Sequence, residues 1–418
     1  MTNTTRILVG LAAGFALGVV LPTGGGFPGV VISAAEIVGG LWLDALRMTI
    51  IPLVFALLVT GIAGAAGTAA LGGIAARAVL WFGLLLIASA VFSALVTPLL
   101  LAWMPIDAAD AAALRSTTGA APSEIPATPP MSDWVTSLIP SNPVAAAAEG
   151  AMLQLVVFSV LFGLAVTRIA AELRERLVHV FQAIAETMLV IVHWVLWIAP
   201  LGVFALAMVL GSRTGLGGAG AIAHYVLLIS AICVLLGASM YALTRACGIS
   251  LIAFARAALP AQIVAVSTQS SLASLPTMIE GAQRELSVSP RVTGVVLPLA
   301  VSVFRITSPA ANLAVVLFIG ALYGIQPGLP LLAAGVAIAA VMSLAVVSLP
   351  QASFFTAIVP IAAAMGVPIE LLPVLFAVEM VPDIFRTVSN VTADVAVTAL
   401  VARHEKRAAT SSEAVQPE

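Results

Sequence analysis

The last apolar segment of the chain contains the stretch EMVPDIFRTVSNVTAD at residues 379–394. Successive residues of an α-helix turn by about 100°, so side chains three, four or seven positions apart share one face. The remaining residues of this segment are mostly apolar, as in a helix that lies in lipid or among other helices. One face of the predicted helix therefore collects the polar side chains Glu379, Asp383, Arg386, Thr387, Asn390 and Asp394.

Charged side chains inside an apolar helix need partners, water or ligands. An ionised side chain near the bilayer centre costs at least about 2.5 kcal/mol on insertion scales. The polar face of 379–394 has four such groups. A self-neutralising network of structural ion pairs is one interpretation. An intramembrane binding site is the interpretation that we favour.

The composition of the chain is that of a membrane protein. Hydrophobic residues make up 61% of the 418 residues and charged residues only 9%, whereas a soluble globular protein has about 25% charged residues. No cluster of basic residues is suited to follow phosphates, so no nucleic-acid partner is expected. We therefore predict an all-α polytopic membrane protein that contacts the lipid bilayer.

Apolar segments long enough to cross a bilayer, which needs about 20 residues, follow one another along the chain. After a shorter first segment at 7–21 they lie at 37–66, 74–104, 142–167, 184–211 and 218–244. Beyond residue 250, polar or proline-containing strings interrupt the segments 251–285, 291–324 and 329–367. Interrupted segments in corresponding positions point to a transporter's midplane site. Ordinary proline or glycine kinks in spanning helices are the alternative.

The distribution of arginine and lysine predicts the orientation in the membrane. Cytoplasmic loops carry an excess of these residues, and nearly all of them fall on one side if both termini are cytoplasmic. The opposite side receives Arg115, Arg213 and the long segment 105–141. We predict a multi-pass protein of a bacterial inner membrane with an external loop at 105–141 and a cytoplasmic tail at 403–418.

Stretches distributed along most of the chain resemble the dicarboxylate/amino acid:cation symporters, a family that includes the glutamate transporters. They are LRMTIIPLVF at 46–55, FSVLFG at 158–163, APLGVF at 199–204, SSLASLP at 270–276 and DIFRTVSNVTAD at 383–394. The last stretch is the most specific, because it sets five polar residues by type and spacing. The resemblance implies eight transmembrane helices plus two re-entrant helical hairpins, in a homotrimeric elevator-type transporter.

The resemblance also implies a division of the chain into a static scaffold and a moving transport domain. The scaffold helices would be 1–73 and 142–217. The transport domain would comprise the third helix, 74–104, and the segment 218–402 with both hairpins.

The same resemblance assigns substrate binding to the last helix and the interrupted segments. Arg386 offers a rigid planar fork for a carboxylate, and Asp383, about one turn away, can accept from an ammonium group. An arginine and an aspartate on one face fit an acidic amino acid better than a simple dicarboxylate. A C4-dicarboxylate or a neutral amino acid is the alternative. The further substrate-binding candidates are Thr387, Asn390, Ser270, Ser271, Ser308 and Gln351.

The chain departs from the family at positions that bind sodium. Where the family reads Asn-Met-Asp-Gly-Thr, this chain has FRITS at 304–308. A tyrosine and a Thr-Ser pair of the family's third helix align with Phe82, Leu85 and Leu86. Sodium is a hard cation that needs several oxygen ligands, much as calcium does. At least one family sodium site is therefore predicted to be lost.

The polar and charged residues that remain near the lost sodium ligands indicate which ion could be coupled to transport. Asn390 and Asp394 are the candidate metal ligands of one weakened sodium site. Arg305 adds a permanent charge that Asp394 or Glu379 could neutralise, with a purely structural ion pair as the alternative. Burial disfavours the charged form of a carboxyl group, so protons bound at Glu379 or Asp394 are the other candidate. We predict sodium coupling that is reduced or replaced, and no other cofactor.

A membrane-embedded serine hydrolase, with Ser270 or Ser271 as nucleophile, is the alternative from another functional class. The chain has no G-x-S-x-G or H-E-x-x-H string, and none of its four histidines belongs to a motif. We therefore predict that the protein is not an enzyme. The predicted function is secondary active transport of a small carboxylate-bearing solute.

Overall fold

The computed structural model describes residues 3–21, 27–69, 73–116, 139–149, 152–214, 217–343 and 353–413. All regular structure in these ranges is α-helical. The helices are α1 (Asn3–Val20), α2 (Phe27–Ala69), α3 (Gly73–Trp103), α4 (Ala108–Ser116), α5 (Pro143–Ala148), α6 (Met152–Val166), α7 (Ala171–Trp197), α8 (Ala199–Thr214), α9 (Gly217–Ala246), α10 (Leu251–Thr268), α11 (Leu275–Leu286), α12 (Pro290–Val303), α13 (Thr307–Leu322), α14 (Leu329–Ser343), α15 (Ser353–Met365), α16 (Leu372–Val378) and α17 (Met380–Glu413).

Several of these helices have the length and composition of membrane spans. Among the described residues, five are long and apolar enough to cross a membrane. They are Gly73–Trp103, Ala219–Ala246, Leu251–Thr268, Pro290–Leu322 and Met380–Glu405. The prediction of an all-helical membrane protein is confirmed, while the number of eight spans stays a prediction.

The two faces of α3 show how such a helix divides between lipid and protein. A stripe of large apolar side chains remains exposed at three- and four-residue spacing: Leu80, Leu84, Ile87, Val91, Leu95 and Leu99. The opposite face buries Phe82, Leu86 and Ser93 against the rest of the molecule. Lipid tails are as apolar as leucine, so the exposed stripe is suited to contact the bilayer.

Helices α1 and α8 pack at unusually close range because glycines face the partner backbone. Gly10, Gly14 and Gly18 recur every four residues and lie against carbonyl oxygens of α8. A methyl group added at Gly10 would lie 2.7 Å from the carbonyl oxygen of Pro200. Small residues at this spacing let helices approach closely in membranes, where packing and hydrogen bonding drive association.

The helix pairs at the predicted hairpins pack against each other. Helices α10 and α11 are in contact and are joined by residues 269–274, where Gln269 ends α10 with a left-handed backbone (φ 52°). Helices α14 and α15 form a second packed pair. The connection between them at 344–352 lies outside the described residues.

Most contacts of the described helices fall into two groups. Helices α1, α2, α6, α7 and α8 pack mainly on one another, whereas α3 and α9–α17 form the second group. Helix α17 lies at the centre of this second group, in contact with α3, α9, α10, α11, α12, α13 and α16. The division of the chain into a static scaffold and a moving transport domain stays a prediction.

Two segments predicted to lie outside the membrane spans contain helix. Part of the predicted external loop at 105–141 forms α4, whose alanines favour a helix and whose Leu114 is fully buried. Residues 117–138 lie outside the described residues. Helix α17 also continues to Glu413, so most of the predicted cytoplasmic tail is helical.

Candidate substrate site

The polar face of α17 runs from a partly accessible region into the protein core. Asp383 and Arg386 are half-buried, so both keep some surface accessible to a ligand. Four neighbours on the same face are buried: Glu379, just before the helix, and Thr387, Asn390 and Asp394. Because a helix places residues three and four apart on one side, this face was predictable from the sequence.

Arg386 has partners on two sides, and its Nε remains without an acceptor among the described residues. Its Nη2 atom lies 2.6 Å from Oε1 of Glu379, and its Nη1 donates to Oδ1 of Asn312 at 2.9 Å. Within the described part of the chain, Nε of Arg386 is buried and has no hydrogen-bond acceptor.

The Arg386 contacts extend into a buried network. The hydroxyl of Tyr225, a fully buried residue of α9, donates to Oε2 of Glu379. On the other side, Nδ2 of Asn312 donates to Oγ of Ser308 at 3.2 Å. The sequence offered Glu379 as a partner for Arg305, and this suggestion is wrong because Glu379 is held by Arg386 and Tyr225.

Asp383 lies between two cationic side chains. Its carboxylate is close enough to Arg386 and to Arg305 to interact electrostatically with both. The Thr387 hydroxyl donates to the backbone carbonyl of Asp383 at 2.9 Å, which occupies its proton within the helix. The accessible Asp383 carboxylate can accept hydrogen bonds from a cationic group, and Thr387 retains acceptor capacity.

Asn390 stabilises the break in the interrupted span. Its Oδ1 accepts from the backbone N–H of Thr307 at 3.0 Å and from the Thr307 hydroxyl at 2.9 Å. Helix α12 ends at Val303, Phe304 is extended, and α13 starts at Thr307. Asn390 thus satisfies an N–H group that the start of α13 would otherwise leave unpaired.

Asp394 and the Nε atom of Arg305 have no hydrogen-bond partner among the described residues. Asp394 is fully buried, and neither of its carboxylate oxygens has a hydrogen-bond partner among the described residues. Arg305 is half-buried, and its buried Nε likewise lacks an acceptor there. The two side chains are close enough to interact electrostatically.

The hairpin residues are not joined to the Arg386 network by any hydrogen bond in the described ranges. Ser270 Oγ accepts from the N–H of Ala273 at 3.2 Å, and Ser271 is buried. Their contact with a substrate stays a prediction. Gln351, the candidate from the second hairpin, lies outside the described residues.

Two members of the network, Tyr225 and Asn312, were missed from the sequence. Each carries a signal that could have identified it. Asn312 lies four residues after Ser308 in an otherwise apolar helix, and an intramembrane polar residue is a functional candidate by default. Tyr225 is a tyrosine in an apolar span, and a buried tyrosine hydroxyl usually has a hydrogen-bond partner.

Comparison with known proteins identifies the family of this chain. Residues 4–404 match the model of the sodium:dicarboxylate symporter family. The proton/glutamate-aspartate symporter of Escherichia coli is 30% identical over 90% of this chain and 87% of its own length. The proton/sodium-glutamate symport protein of Bacillus subtilis is 24% identical over 96% of this chain and 92% of its own length. The C4-dicarboxylate transport protein of Laribacter hongkongensis is 24% identical over 96% of this chain and 89% of its own length.

The match extends over almost the whole chain, and the relatives are covered over most of their own lengths. These relatives are transporters, which excludes the hydrolase alternative. The chain is a multi-pass bacterial membrane transporter that belongs to the sodium:dicarboxylate symporter family.

Proposed function

We propose that the protein is a proton-coupled symporter of acidic amino acids. The observation that carries this proposal is that Arg386, whose Nε has no hydrogen-bond acceptor among the described residues, and the half-buried Asp383 share one helix face. The E. coli relative, a proton/glutamate-aspartate symporter, supports it. The proposal includes elevator-type movement in a homotrimer, with both termini in the cytoplasm.

The two charged side chains would hold the two ends of the substrate. Nε and Nη2 form one side of the Arg386 guanidinium; Nε has no hydrogen-bond acceptor among the described residues, and Nη2 is ion-paired with Glu379. A carboxylate can bind this side through two parallel hydrogen bonds. Asp383, one turn earlier on α17, would accept from the substrate ammonium group. A ligand with both groups satisfies both residues at once.

Proton coupling would arise from competition for Arg386. The deprotonated Glu379 already lies 2.6 Å from the guanidinium, so a substrate carboxylate must share Arg386 with a second negative group. Protonation of Glu379 removes this competition, and the Tyr225 hydroxyl holds the side chain in place. Substrate and proton therefore bind together. Their joint binding leaves less net charge in the membrane than binding of the substrate without the proton.

A C4-dicarboxylate is the second candidate, because Arg305 lies near Asp383. If Arg305 neutralises Asp383, the region beside Arg386 could accept a second carboxylate instead of an ammonium group. A relative that is named a C4-dicarboxylate transport protein, from L. hongkongensis, supports this candidate. Substrate preference after removal of the Asp383 charge distinguishes the two candidates.

Asp383→Asn should weaken binding of aspartate and glutamate far more than binding of succinate and malate. The substitution keeps the size of the side chain but removes the charge that would pair with an ammonium group. Equilibrium binding to the purified protein measures both ligand classes, with Asp107→Asn, at an exposed position, as the matched control. Equal losses for the two classes would exclude the amino-acid proposal and favour the dicarboxylate.

A further inference from the structure

The positions at which the family binds sodium hold packed apolar side chains in this protein. Phe304 and Ile306, at the break between α12 and α13, are each 1% exposed. The ring of Phe82 stacks on that of Phe304, with ring centroids 4.6 Å apart. These rings fill the region in which side-chain oxygens would have to surround a cation.

The remaining candidate ligands, Asn390 and Asp394, do not replace the missing side-chain oxygens. Oδ1 of Asn390 is already an acceptor for the N–H and the hydroxyl of Thr307. Among the described residues, the side-chain oxygens of Asp394 have no hydrogen-bond partner, unlike Oδ1 of Asn390. A hard cation needs several oxygen ligands, so the residues present do not fit the sodium ion that the family name implies.

The same region places a fixed cation near Asp394. Arg305 follows Phe304 at the break, and its Nε is buried without an acceptor in the described part of the chain. It interacts electrostatically with Asp383 first and with Asp394 second, and it is the charged group that acts on Asp394. A buried carboxylate or guanidinium left without compensation is strongly destabilising. The Arg386 guanidinium is held by Glu379 and Asn312, which leaves Arg305 as the cation for Asp394.

We propose that the guanidinium of Arg305 is the resident counter-ion of Asp394 and replaces a diffusible sodium ion. Because this charge is covalently part of the protein, it moves with α13 and α17 whether or not a substrate is bound. Asp394 is then neutralised in every state of the transport cycle. The protein should neither bind sodium at this place nor require it.

Thermal unfolding of the ligand-free purified protein tests this directly and does not depend on the identity of the substrate. Any ion that binds the folded state stabilises it by mass action. We expect the midpoint of unfolding to rise equally in sodium chloride and in choline chloride of the same ionic strength. A saturable rise that is specific to sodium would overturn the proposal.

A double-mutant cycle tests the pairing of the two residues. Arg305→Met and Asp394→Asn should each lower the midpoint of unfolding, because each leaves one buried charge without its partner. The double variant should be more stable than either single variant. Arg305→Lys keeps the charge, so its midpoint of unfolding should fall less than that of Arg305→Met. Arg291→Met, at an exposed position, is the control. Independent, additive losses would contradict the pairing.

Substrate binding gives a second measurement, and this one rests on the proposed function. Affinity for aspartate should differ by less than about twofold between sodium and choline buffers, because no sodium ion binds with the substrate. A steep sodium dependence would overturn the inference. If no acidic ligand bound in either buffer, the proposed function would fail, while the ligand-free cycle would still test the Arg305–Asp394 pair.

Discussion

Replacement of Arg386 by alanine should weaken the binding of aspartate and glutamate by about 2–5 kcal/mol, or roughly 30-fold to 4000-fold in Kd. The substitution removes a charge-assisted pair and leaves the substrate carboxylate desolvated without a partner. Neutral amino acids should lose much less, so the preference of the protein shifts toward them. Equilibrium binding of matched acidic and neutral ligands measures the difference.

Arg386→Lys is the matched variant for this experiment. Lysine keeps the positive charge but lacks the planar fork that binds both carboxylate oxygens. The affinity of Arg386→Lys for acidic ligands should therefore lie between those of the parent protein and Arg386→Ala. If acidic ligands bound Arg386→Ala as tightly as the parent protein, Arg386 would not be the carboxylate-binding residue.

Replacement of Glu379 by glutamine should make substrate binding independent of pH. In the parent protein, affinity for acidic ligands should fall as pH rises, by up to about tenfold per pH unit when one proton binds with each substrate. The reason is that the deprotonated Glu379 competes for Arg386. Glutamine cannot ionise, yet its amide oxygen can still accept from Tyr225. Binding isotherms across a range of pH values measure the slope.

Two further variants make the Glu379 experiment specific. Tyr225→Phe removes the hydrogen bond to Glu379 but leaves the carboxyl group, so pH dependence should persist. Glu280→Gln lies on the surface, where the side chain of Glu280 is 64% exposed, and should behave like the parent protein. A Glu379→Gln variant that retained the parent's pH slope would show that the coupled proton binds elsewhere.

The polar face of the last helix was predictable because helix periodicity is local. Given the helix, the spacing of Asp383, Arg386 and Asp394 alone places them on one side. Their graded burial follows from tertiary packing, which periodicity does not report. The helix pairs at 251–285 and 329–367 were predictable from interruptions in apolar segments, since backbone leaves the helix in a membrane only where protein or water covers it.

The partners of the Arg386 network were not predictable in the same way. Tyr225 is 154 residues from Glu379, and Asn312 is 74 residues from Arg386. Which of several polar residues meets Arg386 depends on how the helices pack. Asn390 shows the same limit, because its side-chain oxygen accepts from the N–H group at the start of α13. Its bond to Thr307 depends on where the interrupted span breaks, which the sequence places only approximately.

Helix α4 was missed for a different reason. Segment 105–141 was predicted as a loop because it is rich in proline, alanine, aspartate and threonine. The sequence AADAAALRS at 108–116 has high helix propensity, and Leu114 is fully buried. A short window would have identified the helix that the composition of the whole segment concealed.

Uptake of labelled aspartate into sodium-free proteoliposomes is the most direct test of proton-coupled transport by this protein. An inward proton gradient should drive accumulation above the external concentration, and a protonophore should abolish it. Adding a sodium gradient should increase uptake little. Uptake that fails in sodium-free buffer under a proton gradient, but proceeds when only a sodium gradient is imposed, would contradict both the proton coupling and the role of Arg305.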